Sequence, residues 1–207
     1  VLSQLPDSTF TVIGKERQPI RDVHGLILTP EMSIADAPLF DVLLVPGGAG
    51  QEALMEDEAV LEFIRKQADQ AKLVFAVCTG VLVCGAAGLL IGKRVTTYWS
   101  TFDLIPYFGA IPVDERVVID GKFVTAAGVT SGIDGALTVA AILRGDQVAQ
   151  EIQLSTQYAP EPPFNSGDPK TAPPAVLEAC TRRISELKAR RLSTAKSVAA
   201  KLGIAIG

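Results

Sequence analysis

The sequence predicts a single α/β domain built around a mostly parallel sheet. Short apolar runs, typical of buried strands, alternate along the chain with segments whose apolar residues repeat at helical spacing. The length of 207 residues fits one hydrophobic core, and a hydrophobic content of 48% indicates a folded chain rather than a disordered one. No internal repeat or low-complexity segment divides the chain, so we expect residues 1–207 to form one domain.

The strands of the first half are predicted from apolar runs that end at turn residues. Thr9–Gly14 is predicted to be a strand, and a hairpin-like stretch follows through Asp22–Leu28. Asp41–Pro46 (DVLLVP) is apolar and ends in two glycines, which is typical of a buried parallel strand that runs into a loop. Lys72–Val77 (KLVFAV) carries the clearest strand pattern in the chain.

Two helices are predicted around that last strand. Asp57 is expected to cap the first one, because Val60, Ile64 and Ala68 follow at a spacing that places them on one buried face. The second helix is apolar, begins directly after the strand and is expected to run through Leu90.

Beyond residue 90 the alternation of strands and helices continues. Gly121 and Lys122 join two short runs in the manner of a hairpin. We expect the end of the chain, Arg190–Ile206, to be a solvated amphipathic helix rather than half of a DNA-binding motif. The predicted elements are a strand at Arg94–Tyr98, hairpin strands at Val117–Asp120 and Phe123–Ala126, helices at Thr130–Leu143 and Asp146–Tyr158, an ordered loop at Ala159–Pro174, and a basic amphipathic helix from Ala175 onwards.

Composition excludes several classes of function. The 19 basic and 23 acidic residues give a net charge of −4, so nucleic acid is not an expected partner. The apolar runs are too short or too rich in glycine to cross a bilayer and no leader pattern is visible, so we expect no membrane partner and a cytoplasmic location. Three cysteines without metal-ligand spacing and a single histidine indicate free thiols in a reducing compartment, with no metal and no cofactor expected.

Cys78 is the residue that the sequence singles out for chemistry. A buried strand that turns at once into a helix holds the residue at the turn in a strained conformation, with its side chain pointing outward. The same turn places the residue at a helix N-terminus, where free N–H groups favour an anion. We therefore expect a nucleophilic cysteine with a lowered pKa. The alternative is a buried, inert cysteine at the end of a strand, since free cysteines are commonly core residues.

Residues at two other strand ends are predicted to complete a binding pocket. Gly47 and Gly48 follow a buried strand, and with the amide of Thr79 they are expected to form an oxyanion-type pocket beside the sulfur. Taken alone, this glycine pair is more typical of an ordinary tight loop. The remaining predicted pocket residues, which precede the next helix, are Gly128, Val129 and Thr130.

Other polar and reactive residues are expected to be structural. Asp134 falls in the first turn of a predicted helix, where it complements the helix dipole. His24 lies in a polar turn, and a lone histidine in such a turn is more often structural than catalytic. Cys84 comes six positions after Cys78, on a different helical face, and is expected in the core, whereas Cys180 is expected to be incidental.

Several short motifs resemble those of one known superfamily. Ala76–Gly80 (AVCTG), Gly85–Leu90 (GAAGLL) and Thr96–Trp99 (TTYW) are similar to the cysteine turn and neighbouring strand of the DJ-1/PfpI superfamily, and the resemblance covers nearly the whole chain. Within that superfamily, Tyr158–Pro160 and Pro162–Gly167 (PPFNSG) are similar to the isocyanide hydratase-like branch.

The resemblance implies a flavodoxin-like fold with helices on both faces of the sheet, a homodimer, no metal, and conversion of an isocyanide to an N-formamide. In that reaction the Cys78 thiolate attacks the isocyanide carbon to give a thioimidate, Thr79 helps to hold the sulfur, and water releases the formamide. Thr79 and Tyr98 stand where many relatives have histidine, which argues against a Cys–His dyad. The acidic residue that hydrogen-bonds the cysteine in relatives lies on a first strand and helix that we expect upstream of Val1.

Two other functions stay open at this point. A similar cysteine-bearing domain forms the ligand-sensing half of AraC-type transcription regulators, and this chain would then be a detached sensor domain, since we expect no DNA-binding unit after it. A cysteine-dependent stress or deglycase-like protein would instead form sulfinic acid at Cys78 without isocyanide turnover.

Overall fold

The computed structural model describes residues 1–206 as ten short strands and six α-helices, with two 3-10 segments at Leu2–Gln4 and Trp99–Phe108. The strands are β1 (Ile13–Gly14), β2 (Ile20–Arg21), β3 (Ile27–Leu28), β4 (Met32–Ser33), β5 (Val42–Val45), β6 (Leu73–Val77), β7 (Arg94–Val95), β8 (Ile111–Pro112), β9 (Val117–Asp120) and β10 (Phe123–Ala126). The helices are α1 (Gln51–Leu54), α2 (Glu58–Gln70), α3 (Gly80–Ala86), α4 (Ser131–Arg144), α5 (Asp146–Ser155) and α6 (Pro174–Leu202).

The central sheet has the strand order β5-β6-β10-β9. Strands β5, β6 and β10 are parallel, and β9 pairs with β10 as the predicted antiparallel hairpin. Val45 pairs with Ala76, and Val77 pairs with Ala126. The carboxyl ends of the three parallel strands therefore meet at one edge of the sheet, which is where open α/β sheets bind ligands.

Helices cover both faces of this sheet because β6 is apolar on both sides. Side chains alternate along a strand, so Val74 and Ala76 pack in the cluster that contains α2, α3 and α6. Leu73 and Phe75 face the other way and pack in the cluster that contains α4. This two-sided burial confirms the predicted α/β class with helices on both faces.

Several predicted boundaries differ from the structure, and the three largest differences that have a local cause are these. Only the last two residues of Thr9–Gly14 form a strand, which pairs in parallel with β4. The helix expected to reach Leu90 ends at Ala86, because Gly88 adopts a left-handed φ of 78°. The strand expected over Arg94–Tyr98 ends at residue 95, because the next two threonines hydrogen-bond to other elements.

The C-terminal helix is not the solvated segment that the sequence suggested. Helix α6 begins at Pro174, one residue before the predicted start, and it packs along the 3-10 segment at Trp99–Phe108. Ala195, Val198 and Ala199 of this helix are buried, and their small side chains allow the close approach. Within residues 1–206, no helix is both long enough and apolar enough to cross a membrane.

Candidate active site

Cys78 lies at the turn between β6 and α3 and has a left-handed backbone, with φ at 58°. A residue other than glycine rarely adopts this conformation, so the surrounding structure must hold it there. The Cys78 N–H donates to the Ala126 carbonyl oxygen at 2.8 Å, and the Thr97 hydroxyl donates to the Cys78 carbonyl oxygen at 2.7 Å. The cysteine is partly exposed. The strained turn that the sequence predicted is therefore present.

Two glycines allow the end of β5 to pack directly against this turn. A Cβ placed on Gly80 would lie 2.2 Å from the Val45 carbonyl oxygen. A Cβ placed on Gly47 would lie 2.8 Å from both the Cβ of Cys78 and the backbone nitrogen of Thr79. Real Cβ atoms do not approach other heavy atoms this closely, so both positions require glycine for the observed packing.

Thr79 and Gly48 join the cysteine turn to the loop after β5. The Gly48 N–H donates to Thr79 Oγ1 at 3.1 Å, and the Thr79 hydroxyl donates to the Gly48 carbonyl oxygen at 3.2 Å. Thr79 is buried, so its hydroxyl needs a protein partner. The Gly48 amide is therefore already hydrogen-bonded within the protein, and its part in the oxyanion-type pocket stays a prediction. The Thr79 N–H, by contrast, acts to lower the pKa of the neighbouring Cys78 thiol.

Arg191 reaches the same loop from α6 and was not predicted from the sequence. Its side chain is only 5% exposed, and Nη2 donates to the Gly48 carbonyl oxygen at 2.9 Å. Its Nε is buried and has no hydrogen-bond partner among the described residues. Arg191 and Gly48 are 143 residues apart in the chain, and no local motif signals a contact of that kind.

The electrostatics of the sulfur differ from the prediction. Burial raises the pKa of the Cys78 thiol above its ordinary value, while the Thr79 N–H, the Thr79 hydroxyl and the charge of Arg191 act in the opposite direction. The expectation of a lowered pKa is therefore wrong in direction. The loss of water around the sulfur has the largest effect on this pKa and disfavours the charged form.

The other predicted pocket residues lie at the end of β10, beside the cysteine turn in the sheet. A Cβ on Gly128 would lie 3.8 Å from the Tyr98 ring, Val129 is 80% exposed, and the Thr130 hydroxyl accepts from Arg116 at 3.4 Å. These contacts do not join the three residues to the sulfur, so their role in binding substrate stays a prediction.

Residues that were expected to be structural make structural contacts. Asp134 accepts hydrogen bonds from the Tyr158 hydroxyl at 2.6 Å and from Arg116 Nε at 2.7 Å, which ties the segment after α5 to the start of α4. His24 lies in the β2–β3 turn, where its backbone N–H donates to an Asp22 carboxylate oxygen at 2.8 Å. The two remaining cysteines lie away from the turn: Cys84 is fully buried in the core, and Cys180 is partly exposed on α6.

Comparison with known proteins identifies the family. Residues 4–142 match the model of the DJ-1/PfpI family. The chain belongs to the DJ-1/PfpI family. It is 50% identical over 204 residues to the isonitrile hydratase of Pseudomonas putida, a match that covers 99% of this chain and 90% of that protein. The relationship confirms the resemblance to the isocyanide hydratase-like branch.

Two further relatives place the chain within the family. The crystal structure of a THiJ/PfpI family protein from Pseudomonas syringae has a TM-score of 0.90 at 37% identity and covers 93% of this chain and 81% of that one. The glutathione-independent glyoxalase DJR-1.2 of Caenorhabditis elegans is 27% identical over 65% of this chain and 73% of its own length. The chain is thus more similar to the hydratase than to this glyoxalase, in both identity and coverage.

Proposed function

We propose that this protein hydrates isocyanides to N-formamides through a covalent intermediate on Cys78. One observation carries the proposal: a partly exposed thiol is held on a left-handed turn at the carboxyl edge of the sheet. The 50% identity to an isonitrile hydratase over 99% of the chain supports this reaction rather than another reaction of the family.

The reaction amounts to the addition of one water molecule in two stages. The Cys78 sulfur forms a bond to the terminal carbon of the isocyanide, and the thiol proton moves to that same carbon to give a thioimidate. Water then adds to the carbon and supplies a proton to the nitrogen. The carbon–sulfur bond breaks, its electron pair returns to sulfur with the second water proton, and the N-formamide leaves.

The geometry suits both stages. The raised pKa keeps the thiol protonated near neutral pH, so the proton that the carbon must gain is available at the sulfur itself. The Thr79 N–H then stabilises the negative charge that develops on the sulfur as this proton leaves. The Cys78 N–H donates to the Ala126 carbonyl oxygen and the Cys78 carbonyl oxygen accepts from the Thr97 hydroxyl, and these bonds hold the turn in place during the attack.

The proposed reaction is tested by following the oxygen atom of water into the product. The protein is incubated with one alkyl and one aryl isocyanide in water enriched in oxygen-18, and the products are analysed by mass spectrometry. We expect N-formamide that carries one oxygen-18 atom. A parallel reaction contains methylglyoxal, the type of substrate that a glyoxalase converts. The proposal would be contradicted if the protein converted methylglyoxal and the isocyanide reactions gave no more formamide than the protein-free control.

The Thr79 hydroxyl is expected to contribute to turnover. Replacing Thr79 with valine keeps the shape of the side chain but removes its hydrogen bonds to Gly48, which should lower the free energy of unfolding by about 1 kcal/mol. Without these bonds the sulfur and the loop after β5 are no longer held in alignment. We expect kcat/KM to fall about tenfold, which corresponds to the loss of one hydrogen bond of about 1 kcal/mol in the transition state.

Replacing Thr79 with serine retains the hydroxyl and serves as the matched control. Steady-state kinetics with one isocyanide measures both variants beside the wild type. Equal kcat/KM values for the valine and serine variants would show that the hydroxyl has no part in turnover.

We also propose that the protein acts as a homodimer in the cytoplasm. Three free thiols are consistent with a reducing compartment. An exposed apolar surface supports the dimer, and light scattering tests it: a monomeric mass at micromolar concentration would contradict this proposal. The surface lies on the β2–β3 hairpin and consists of Ile20, Val23, Leu26, Ile27 and Leu28, each more than half exposed.

A further inference from the structure

We propose that Arg191 is a positioning residue for Cys78, which stabilises the sulfur when it carries negative charge and holds the loop after β5 against it. The inference rests on the proposed function only in that it concerns the same sulfur. The role does not require Arg191 to touch the substrate.

Arg191 is a buried cation without a dedicated carboxylate. Its side chain is 5% exposed, yet the described residues include no acidic group that forms an ion pair with it. Its neighbour Arg190 is exposed and pairs with Glu52 at 3.2 Å. Burying a guanidinium in this way is strongly unfavourable unless a nearby negative charge compensates it.

The hydrogen bonds of Arg191 leave it incompletely satisfied. Nη2 donates to the Gly48 carbonyl oxygen, but Nε is buried and has no partner among residues 1–206. A buried guanidinium nitrogen without a partner is uncommon in folded proteins, because each buried donor ordinarily has an acceptor. The side chain is therefore arranged to interact with a group that is anionic only part of the time.

The Cys78 sulfur is the group that fits this description. Burial has the largest effect on both groups, since it raises the pKa of Cys78 and lowers the pKa of Arg191. The charge of each group opposes the shift of the other, so the two groups lie close enough to affect each other's charge. The structural link between them is short. Arg191 binds the Gly48 carbonyl oxygen, and Gly48 is hydrogen-bonded to the hydroxyl of Thr79, the residue after Cys78. The adjacent Gly47 packs so closely that a Cβ placed on it would lie 2.8 Å from the Cβ of Cys78.

The charged and titratable groups that face Arg191 are Cys78, Glu52 on α1, Arg190 on α6 and Tyr98. Glu52 is already paired with Arg190, so its charge is largely compensated. In the proposed reaction the sulfur is negative as it attacks and again as the formamide leaves, and Arg191 would stabilise it on both occasions.

The test compares Arg191→Met with Arg191→Lys and uses Lys196→Met, an exposed cation on the same helix, as the matched control. Alkylation of Cys78 by iodoacetamide is followed against pH by peptide-resolved mass spectrometry, since only the thiolate reacts. In the wild type, burial raises the pKa of the Cys78 thiol. The rate of alkylation should therefore still increase with pH at values above the ordinary pKa of a cysteine.

Loss of the cation should move the titration midpoint of Cys78 further upward. For the methionine variant we expect alkylation at pH 7 to fall about tenfold, which corresponds to one pH unit. The lysine variant should recover part of this loss, and the Lys196 variant should match the wild type. A methionine variant that is folded by circular dichroism and has the wild-type midpoint would overturn the inference.

A second measurement needs no Arg191 variant. In nitrogen-15-labelled wild-type protein, the Arg191 Nε–H resonance should shift with the midpoint at which Cys78 titrates, and it should not shift in Cys78→Ser. A resonance that is indifferent to Cys78 would overturn the inference. Neither experiment uses an isocyanide, so a protein without isocyanide turnover refutes the proposed function alone, while turnover with an unmoved midpoint refutes this inference alone.

Discussion

Replacement of Cys78 by serine or alanine is expected to abolish isocyanide turnover while leaving the fold intact. The thioimidate requires a sulfur nucleophile, and the loss of a covalent nucleophile typically costs on the order of 10⁴ to 10⁶-fold in kcat. Serine keeps the size of the side chain and the hydrogen bonds of the Cys78 backbone to Ala126 and Thr97, so the thermal midpoint should change little.

The control for this experiment is Cys180→Ser, which removes a partly exposed thiol on α6. This variant should retain wild-type turnover. Formamide formation is measured by chromatography over times long enough to detect a residual rate. A Cys78→Ser protein that retains turnover within tenfold of the wild type would mean that the sulfur is not the nucleophile.

Replacement of Gly80 by alanine is expected to damage both stability and activity. The added Cβ would lie 2.2 Å from the Val45 carbonyl oxygen and 2.7 Å from that of Pro46, and these are backbone atoms that cannot rotate away. Overpacking of this kind costs about 1–3 kcal/mol of unfolding free energy. The end of β5 must also move away from the cysteine turn, and a displacement of about 1 Å at an active site lowers turnover roughly 100-fold.

Gly50→Ala is the matched control, because Gly50 lies in the loop after β5, the segment that the Cβ of Gly80→Ala would push away. Its φ of −70° suits any residue, and a Cβ there meets no atom within 4 Å. Urea unfolding and isocyanide turnover are measured for both variants. The account of the turn would be wrong if Gly80→Ala were as stable and as active as Gly50→Ala.

The sheet and the cysteine turn were predictable because their signals are local. The run at Lys72–Val77 forms β6 at residues 73–77, and the glycine two residues after Cys78 permits the contact with β5 that the turn requires. Helix α2 begins after the predicted cap, Asp57, whose carboxylate accepts from the Val60 N–H. In each case neighbouring residues determine the structure, so the pattern along the chain is sufficient.

The environment of the sulfur was not predictable in the same way. The lowered pKa was inferred from the position of Cys78 at a helix start, whereas the actual direction depends on burial by the assembled fold. The Gly48 amide was expected to face a ligand, but it binds the Thr79 hydroxyl. Arg191 enters the site only because α6 packs back on the domain, and no spacing in the sequence reports that contact.

The most direct test of the account is to observe the intermediate on the sulfur. The protein is mixed with an isocyanide, quenched with acid at millisecond intervals, digested, and analysed by mass spectrometry. We predict that the peptide containing Cys78 gains the mass of one isocyanide molecule, and that this adduct forms and decays at least as fast as kcat. Formamide production with an unmodified Cys78 peptide at every time point, or with an adduct that decays more slowly than turnover, would contradict the covalent mechanism.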